Sequence, residues 1–140
     1  MQAPHDPAAS NRRTMETLFA ALARGDGAPF LEHLAEDVVW TLTGSTRWSR
    51  SYRGKADLVE NLFRPLFRRL EGYTNTAHAM IAEGDRVVIE CTGRAILRGG
   101  RPYANAYCWV CRLSDGRIVE LTEYLDTRVV EAVLEDAPRG

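Results

Sequence analysis

Residues 86–113 read RVVIECTGRAILRGGRPYANAYCWVCRL, two apolar runs on either side of the turn signal Gly99-Gly100. In an extended chain, successive side chains point to opposite faces. One face of the first run is uniformly uncharged, whereas the opposite face is mixed; the uncharged face carries Val87, Ile89, Cys91, Gly93, Ala95 and Leu97. In the second run the larger residues Tyr103, Tyr107 and Trp109 share one face and small residues share the other. The pattern predicts two antiparallel strands joined by a hairpin.

The same pattern continues on both sides of this hairpin. Further turn signals stand at Glu83-Gly84-Asp85 and Ser114-Asp115-Gly116, about fifteen residues from the first on either side. The segments between these turns predict four strands of an antiparallel meander: Thr74–Ala82, Arg86–Leu97, Pro102–Leu113 and Arg117–Leu125.

The residues before the meander have helical spacing. Apolar side chains recur at Met15, Leu18, Phe19 and Leu22. This spacing predicts a helix that begins near Ser10 and ends at Gly25. Pro29 then suits the first position of a short second helix.

A strand, a loop and a third helix complete the first half. The β-branched and aromatic run 38–42 predicts a strand, and Gly44–Gly54 predicts a polar loop. The apolar rhythm of 58–70 predicts a helix that Pro65 kinks. A last short helix is expected over Thr127–Leu134. Helices followed by consecutive strands favour an α+β fold with a curved sheet wrapped on the helices.

Length and composition bound the class of protein. The chain has 140 residues, is 45% hydrophobic and has a formal net charge of −1, as expected for one globular domain. We expect that domain over 11–135, with a flexible tail over 1–10 and another over 136–140. No apolar run approaches the ~20 residues of a membrane span, and the polar start lacks a secretory signal pattern. These features predict a cytoplasmic protein that has no membrane partner.

Three cysteines, at positions 91, 108 and 111, fit reduced thiols in the cytoplasm. Cys108 and Cys111 form a C-x-x-C, but residues three apart in a strand point to opposite faces. We therefore expect no metal site and interpret these cysteines as small buried hydrophobic residues.

Four stretches carry a resemblance to a known family: FAALARGD (19–26), LAEDVVW (34–40), YRGK (52–55) and DGRIVELTEYLDT (115–127). With the element order, they resemble the NTF2-like superfamily, and within it the SnoaL-like and ketosteroid-isomerase-related proteins. The resemblance implies a cone in which N-terminal helices pack in a curved antiparallel sheet, with a short C-terminal helix. It also implies an apolar pocket, a homodimer that pairs through the outer sheet face, and chemistry without a cofactor.

The known chemistries of these relatives match this chain unequally. The three positions of a ketosteroid-isomerase-like site fall at Leu18, Leu42 and Cys108, none of which supplies its chemistry. In an epoxide-hydrolase-like site, Asp126 stands at the acid, but the arginine and the base fall near Cys91 and Gly93. A polyketide-cyclase-like reaction needs chiefly one base and a shaped pocket, and Asp126 meets that requirement.

Asp126 has two interpretations. It is either a general acid or base at the pocket mouth, or the N-cap of the short C-terminal helix. Tyr124 shares its face and would donate to a carbonyl or simply pack, and His78 would pair with Asp126 or pack within its strand. Glu90 and Glu123 are expected on the sheet surface with ion-pair partners.

Six further residues are predicted to contact a ligand: Trp40, Trp48, Tyr52, Cys91, Gly93 and Cys108. Of these, Trp48 and Tyr52 lie in the 44–54 loop and would close over the ligand as a lid. The same loop interleaves basic and aromatic residues, a pattern that can bind nucleic acid. The rest of the chain has no basic surface, so we expect no nucleic-acid partner.

The sequence therefore predicts a pocket protein for a small apolar or carbonyl-containing ligand. If it is an enzyme, we expect a cofactor-free isomerase, cyclase or dehydratase that uses Asp126, with Tyr124 and His78 assisting. The alternative is a non-catalytic NTF2-like module that binds a ligand or forms a dimeric interaction surface.

Overall fold

A computed structural model describes residues 6–135, which form one six-stranded sheet with helices against its concave side. The helices are α1 (Pro7–Ala23), α2 (Ala28–His33), α3 (Lys55–Leu58), α4 (Arg64–Phe67) and α5 (Thr127–Glu135). The strands are β1 (Leu34–Leu42), β2 (Arg50–Arg53), β3 (Leu70–Glu83), β4 (Arg86–Leu97), β5 (Pro102–Ser114) and β6 (Arg117–Leu125). The order across the sheet is β2-β1-β6-β5-β4-β3. This architecture confirms the predicted α+β cone.

Helix α1 begins earlier than its apolar spacing predicted. Asp6 is the N-cap, its carboxylate accepts the backbone N–H of Ala8 at 3.0 Å, and Pro7 fills the first turn. Ser10, the expected start, lies inside the helix because an Asp-Pro start was available upstream. Residues 7–10 of the tail expected over 1–10 are thus helical, whereas its residues 1–5 and the tail expected over 136–140 lie outside the described residues.

The predicted loop 44–54 is partly a strand. Residues 50–53 form β2, which pairs antiparallel with β1. Strand β1 starts at Leu34, four residues before the predicted run, and it pairs with β6 in parallel. The sheet is therefore mixed, and β6 lies between β1 and β5.

The third predicted helix is a chain of three helical turns. Between α3 and α4 lies a π-helical turn over Val59–Phe63, closed by a bond from the Arg64 N–H to the Val59 carbonyl. Pro65 follows directly, and its ring cannot fit against the preceding turn of a regular α-helix. The wider turn gives the proline room, as π-bulges do elsewhere.

The four-strand meander is confirmed, with β4 and β6 at their predicted bounds. On β4 and β5 the buried face is the one that carries Ile89, Cys91, Tyr107 and Trp109. A register shift between Ala77 and Ala79 interrupts β3 and reverses the side to which its later residues point. No helix within 6–135 is both long and apolar enough to cross a membrane.

Candidate functional site

A cavity of about 780 Å³ lies between the helices and the concave face of the sheet. That volume is in the range of sites for small organic ligands. Its lining is mostly apolar, and includes Leu22, Phe30, Trp40, Leu62, Phe63, Leu66, Tyr73, Tyr103, Tyr107, Trp109 and Glu123. Glu123 is the one acidic side chain among the described residues of this lining.

Glu123 is held by two indole rings. The Trp40 Nε1–H donates to its Oε1 at 3.2 Å, and the Trp109 Nε1–H donates to its Oε2 at 3.0 Å. The residue is only 7% exposed. One donor on each carboxylate oxygen fixes the orientation of the group and leaves further lone pairs for a ligand.

The sheet order creates this arrangement. Strand β6 carries Glu123, and its two neighbours β1 and β5 each supply one tryptophan. Trp109 stands directly opposite Glu123 in the β5–β6 register, and Trp40 stands opposite Leu121 in the β1–β6 register. The three side chains meet because the parallel β1–β6 pairing places the first strand beside the last.

Burial raises the pKa of Glu123 to about 7, and the two indole donors oppose that rise. Loss of hydration disfavours the carboxylate, whereas N–H donors favour it. A carboxyl group with a pKa near neutrality exists in both protonation states at physiological pH. Such a group is suited to accept a proton in one step and return it in the next.

Aromatic rings form the wall around this carboxyl group. The Trp40 and Trp109 ring centroids lie 5.3 Å apart, and Phe63 contacts Trp40 edge to face at 5.2 Å. Phe30 lies 5.6 Å from Trp109. These rings pack edge to face or tilted and make the wall apolar.

Three tyrosine hydroxyls form a second polar group in the same cavity. The hydroxyl oxygens of Tyr103 and Tyr107 are 2.8 Å apart, and the Tyr73 hydroxyl donates to that of Tyr107 at 3.4 Å. They lie over Gly93, where an added Cβ would come within 2.7 Å of the Tyr107 hydroxyl and 2.8 Å of the Tyr73 hydroxyl. The absence of a side chain at Gly93 is what admits this cluster.

Asp126 and Tyr124 lie outside the cavity. Asp126 is exposed, and its Oδ1 accepts the backbone N–H of Arg128 at 3.1 Å, which is N-cap geometry at the start of α5. Tyr124 is 51% exposed and points to the convex face of the sheet. The geometry matches the capping interpretation of Asp126, which lies past the end of β6 and is therefore not part of the strand that carries Tyr124.

His78 is not brought together with Asp126. It is exposed on edge strand β3, where its Nε2 lies 2.7 Å from the Thr92 hydroxyl. Strands β4 and β5 separate it from β6, a distance of about 14 Å at the usual spacing of neighbouring strands. His78 also lies at the register shift between Ala77 and Ala79, so Thr76 and Met80 on its two sides point to opposite faces.

The six predicted ligand contacts divide by position. Trp40 lines the cavity. Trp48 and Tyr52 are buried in the core, joined by a 2.6 Å bond from the Tyr52 hydroxyl to the Trp48 carbonyl, and they are not part of the lining. A lid made from them would have to leave the core.

The three remaining predicted contacts belong to the sheet itself. Gly93 lies beneath the tyrosine cluster, and Cys91 is buried on the same face of β4. Cys108 lies on the opposite face of β5 and is half-buried. All three cysteines are free thiols, and within 6–135 no group of side chains is arranged to hold a metal ion.

Glu123 was expected on the sheet surface, and that prediction is wrong. The strand sequence Leu121-Thr122-Glu123-Tyr124-Leu125 places the glutamate on the same face as two leucines. A carboxylate with leucine at both i−2 and i+2 is a signal for a buried acid. Its partners, Trp40 and Trp109, are far away in the sequence, so the alternation alone could not show what satisfies it.

Solved structures of other proteins share this fold. An NTF2-like protein from Burkholderia thailandensis is 26% identical, with 89% of this chain and 96% of that chain aligned at a TM-score of 0.74. A protein from Jannaschia named for SnoaL-like polyketide cyclases is 17% identical, with 99% of both chains aligned at a TM-score of 0.74. TerC, crystallised with polyporic acid, is 21% identical, with 89% of this chain and 98% of that chain aligned at 0.72.

No curated protein matches the sequence. The family model of the SnoaL-like domain matches residues 15–121, which run from the middle of α1 through β5 to the first part of β6. That match covers most of the chain and ends just before Glu123. The chain therefore belongs to the SnoaL-like domain family.

Proposed function

We propose that this protein is a cofactor-free enzyme that moves a proton on a small, apolar carbonyl compound, with Glu123 as the base and then the acid. The observation that carries the proposal is a single buried carboxyl group held by Trp40 and Trp109 in an apolar cavity of about 780 Å³. Isomerisation, aldol cyclisation and dehydration all begin with such a proton transfer. The names of the structural relatives support a polyketide-like ligand class.

The Glu123 carboxylate takes a proton from the carbon beside the ligand carbonyl, and the electron pair moves onto the carbonyl oxygen to form an enolate. Glu123 then returns a proton either to the same carbon, which gives exchange once the carboxyl proton has been replaced from solvent, or, in a dienolate, to the far carbon of the conjugated system, which gives isomerisation. Alternatively, the enolate carbon attacks a second carbonyl of the same molecule, which closes a ring. In the latter case Glu123 returns its proton to the new alkoxide.

Asp126 is replaced in this role because of where each carboxyl group points. Asp126 is exposed and bonded to the backbone of α5, whereas Glu123 faces the cavity. A base that faces solvent cannot reach a ligand between the aromatic walls. We retain from the sequence the reaction class and the ligand class, and assign the acid–base role to Glu123.

The test is solvent exchange of the acidic C–H of 1-tetralone in D2O, followed by proton NMR. Wild-type protein should accelerate exchange over buffer, and Glu123→Gln should lose roughly 100-fold or more of that acceleration. Asp126→Asn is the matched control, because asparagine caps a helix as well as aspartate does. Equal rates for Glu123→Gln and wild type would contradict the acid–base role.

The alternative is a binding module without catalysis. The same cavity supports this interpretation, since an apolar pocket retains a ligand whether or not Glu123 reacts. Saturable binding of 1-tetralone without exchange above the buffer rate would favour it.

We further propose a homodimer that forms through the convex sheet face and works in the cytoplasm. That face exposes the apolar side chains of Ile81, Ile96 and Tyr124, the first of them 64% exposed. The free thiols suit a reducing compartment. Analytical ultracentrifugation should give the dimer mass for wild type and a smaller mass for Ile96→Lys. A monomeric wild-type protein would contradict the dimer.

A further inference from the structure

We propose that the hydroxyl cluster of Tyr73, Tyr103 and Tyr107 is a donor subsite that binds an oxygen acceptor of the ligand, a ketone, quinone or enolate oxygen. The ligand class is then a cyclic apolar compound that presents this oxygen to the tyrosines and an acidic C–H to Glu123. This inference rests on the proposed function for its second half only, because the subsite would bind a ketone whether or not Glu123 reacts.

The tyrosine cluster holds more hydroxyl protons than its own oxygen–oxygen contacts can use. Three hydroxyl protons share two oxygen–oxygen contacts, one at 2.8 Å and one at 3.4 Å. If Tyr73 donates to Tyr107, the 2.8 Å contact can use a proton from only one of Tyr103 and Tyr107. Among the hydrogen bonds of residues 6–135, the other of these two protons has no acceptor.

The surrounding side-chain amides add further donors to the cluster. The Asn105 Nδ2–H donates to the Tyr103 hydroxyl at 3.2 Å, and the Asn75 Nδ2–H donates to the Tyr73 hydroxyl at 3.3 Å. The orientation of Asn105 is fixed, because its amide also bonds both the N–H and the carbonyl of Asp126. The Asn105 amide thus takes acceptor capacity from Tyr103 and turns its own oxygen to the Asp126 N–H, whereas the buried Asn75 Oδ1 has no hydrogen-bond partner among the described residues.

Protonation keeps the three tyrosine hydroxyls available as donors. Burial raises the pKa of Tyr73, Tyr103 and Tyr107 above the ordinary value of a phenol. The hydroxyls therefore stay protonated across the physiological range and remain donors. A buried donor without an acceptor is costly, and a ligand oxygen removes that cost.

The strand positions of the tyrosine subsite and of the Glu123 carboxyl group are close together. Tyr107 and Trp109 are two residues apart on one face of β5, about 7 Å along a strand, and Trp109 stands opposite Glu123. The backbone positions of Tyr107 and of the residue opposite Glu123 are thus about one ring width apart. A carbonyl oxygen at the tyrosines leaves a neighbouring C–H within reach of Glu123.

The experiment compares two probes of the same shape, 1-tetralone and tetralin, which differ in the ketone oxygen. Quenching of tryptophan fluorescence gives the dissociation constant of 1-tetralone, and competition gives that of tetralin. Tyr107→Phe and Tyr103→Phe should each weaken 1-tetralone binding about tenfold and leave tetralin binding unchanged. The carbonyl stretch of bound 1-tetralone should also move to higher frequency in these variants.

Two controls separate this proposal from the acid–base role. Tyr124→Phe removes a hydroxyl from the convex face, and Glu123→Gln removes the carboxyl group but no tyrosine. Both should keep the ratio of the two dissociation constants within about twofold of wild type. Circular dichroism and the unfolding midpoint establish that each variant is folded, and two separate tyrosine variants guard against the failure of one.

Three results would overturn the subsite. The first is an unchanged ratio in both tyrosine variants. The second is a preference for 1-tetralone over tetralin that is lost in Glu123→Gln instead, which would make the protonated carboxyl group the donor to the ketone. The third is a wild-type protein that does not bind 1-tetralone at millimolar concentration. A wild-type protein that keeps the binding preference but does not accelerate exchange over buffer would contradict only the function proposed for Glu123.

Discussion

Glu123 and Asp126 are two carboxyl groups three residues apart, and they have opposite surroundings. Glu123 is in the sheet, buried under two indoles, and its pKa is raised to about 7 by loss of hydration. Asp126 is just past the end of β6, exposed, and bonded to the backbone of α5. The comparison teaches that the face of a strand decides the chemistry of a carboxyl group more than its place in a family motif does.

The largest expected effect on stability is a pH dependence that belongs to Glu123. Its folded pKa of about 7 is above the unfolded value near 4.5, so the folded state binds its proton more tightly. The stability from this proton is fully present below about pH 4.5 and is lost as the pH rises through about 7. The shift corresponds to about 3 kcal/mol.

Urea unfolding near pH 5 and near pH 8 measures this effect. Wild type should lose about 3 kcal/mol more than Glu123→Gln over that interval, because the amide does not titrate. Asp126→Asn should follow the wild-type profile. Identical profiles for wild type and Glu123→Gln would mean that the carboxyl group is hydrated.

Gly93 is the backbone position beneath the buried tyrosine cluster. At Gly93 an added Cβ would lie 2.6 Å from the Tyr107 ring, so Gly93→Ala should cost about 2 kcal/mol by overpacking. Differential scanning calorimetry would show the loss as a lower midpoint. The two shortest contacts are with Tyr107, and the Tyr73 hydroxyl follows at 2.8 Å, so Tyr107→Leu in the same protein should recover part of the loss. Strictly additive losses would place the strain elsewhere.

A smaller effect tests the indole donors. Trp109→Phe removes one of the two N–H groups that favour the carboxylate, so the pKa of Glu123 should rise by about one further unit. Carbon-detected NMR of the glutamate carboxyl group measures it. Trp48→Phe is the control, since the Trp48 indole N–H has no partner among the described residues. A shift as large in the control would point to a general packing effect.

The smallest effect belongs to the exposed carboxyl group. Asp126→Ala should destabilise the fold by about 1 kcal/mol through loss of the α5 cap, whereas Asp126→Asn should cost only a few tenths. Thermal unfolding of the two variants gives the difference directly. An equal loss for alanine and asparagine would mean that the capping bond to Arg128 contributes nothing.

Local patterns carried most of the fold. The meander strands follow from the alternation between turn signals, and α1 follows from its apolar spacing, apart from its early start at Asp6. β2 and the π-helical turn could not be predicted, because each depends on contacts outside its own stretch. Arg50–Arg53 is a strand only because β1 lies beside it, and Val59–Phe63 widens to accommodate Pro65.

The site was predicted less well. Trp40, which was predicted to contact a ligand, lines the cavity, and the large aromatic residues of β5 share one face as the alternation predicts. Glu123 and Tyr73 were not recognised. A glutamate in a strand is buried or exposed according to what covers it, and the sequence of β6 does not state which strands flank it.

The sequence by itself determined the α+β class, the alternation of the strands and the presence of an apolar interior, because these depend on residues close together in the chain. Only the tertiary structure decided which carboxyl group reaches the cavity. That decision needs the parallel pairing of β1 with β6, which brings Trp40 across 83 residues of sequence to Glu123. The physical reason is that the protonation of a carboxyl group depends on its hydration and its hydrogen-bond donors, and both are supplied by distant strands.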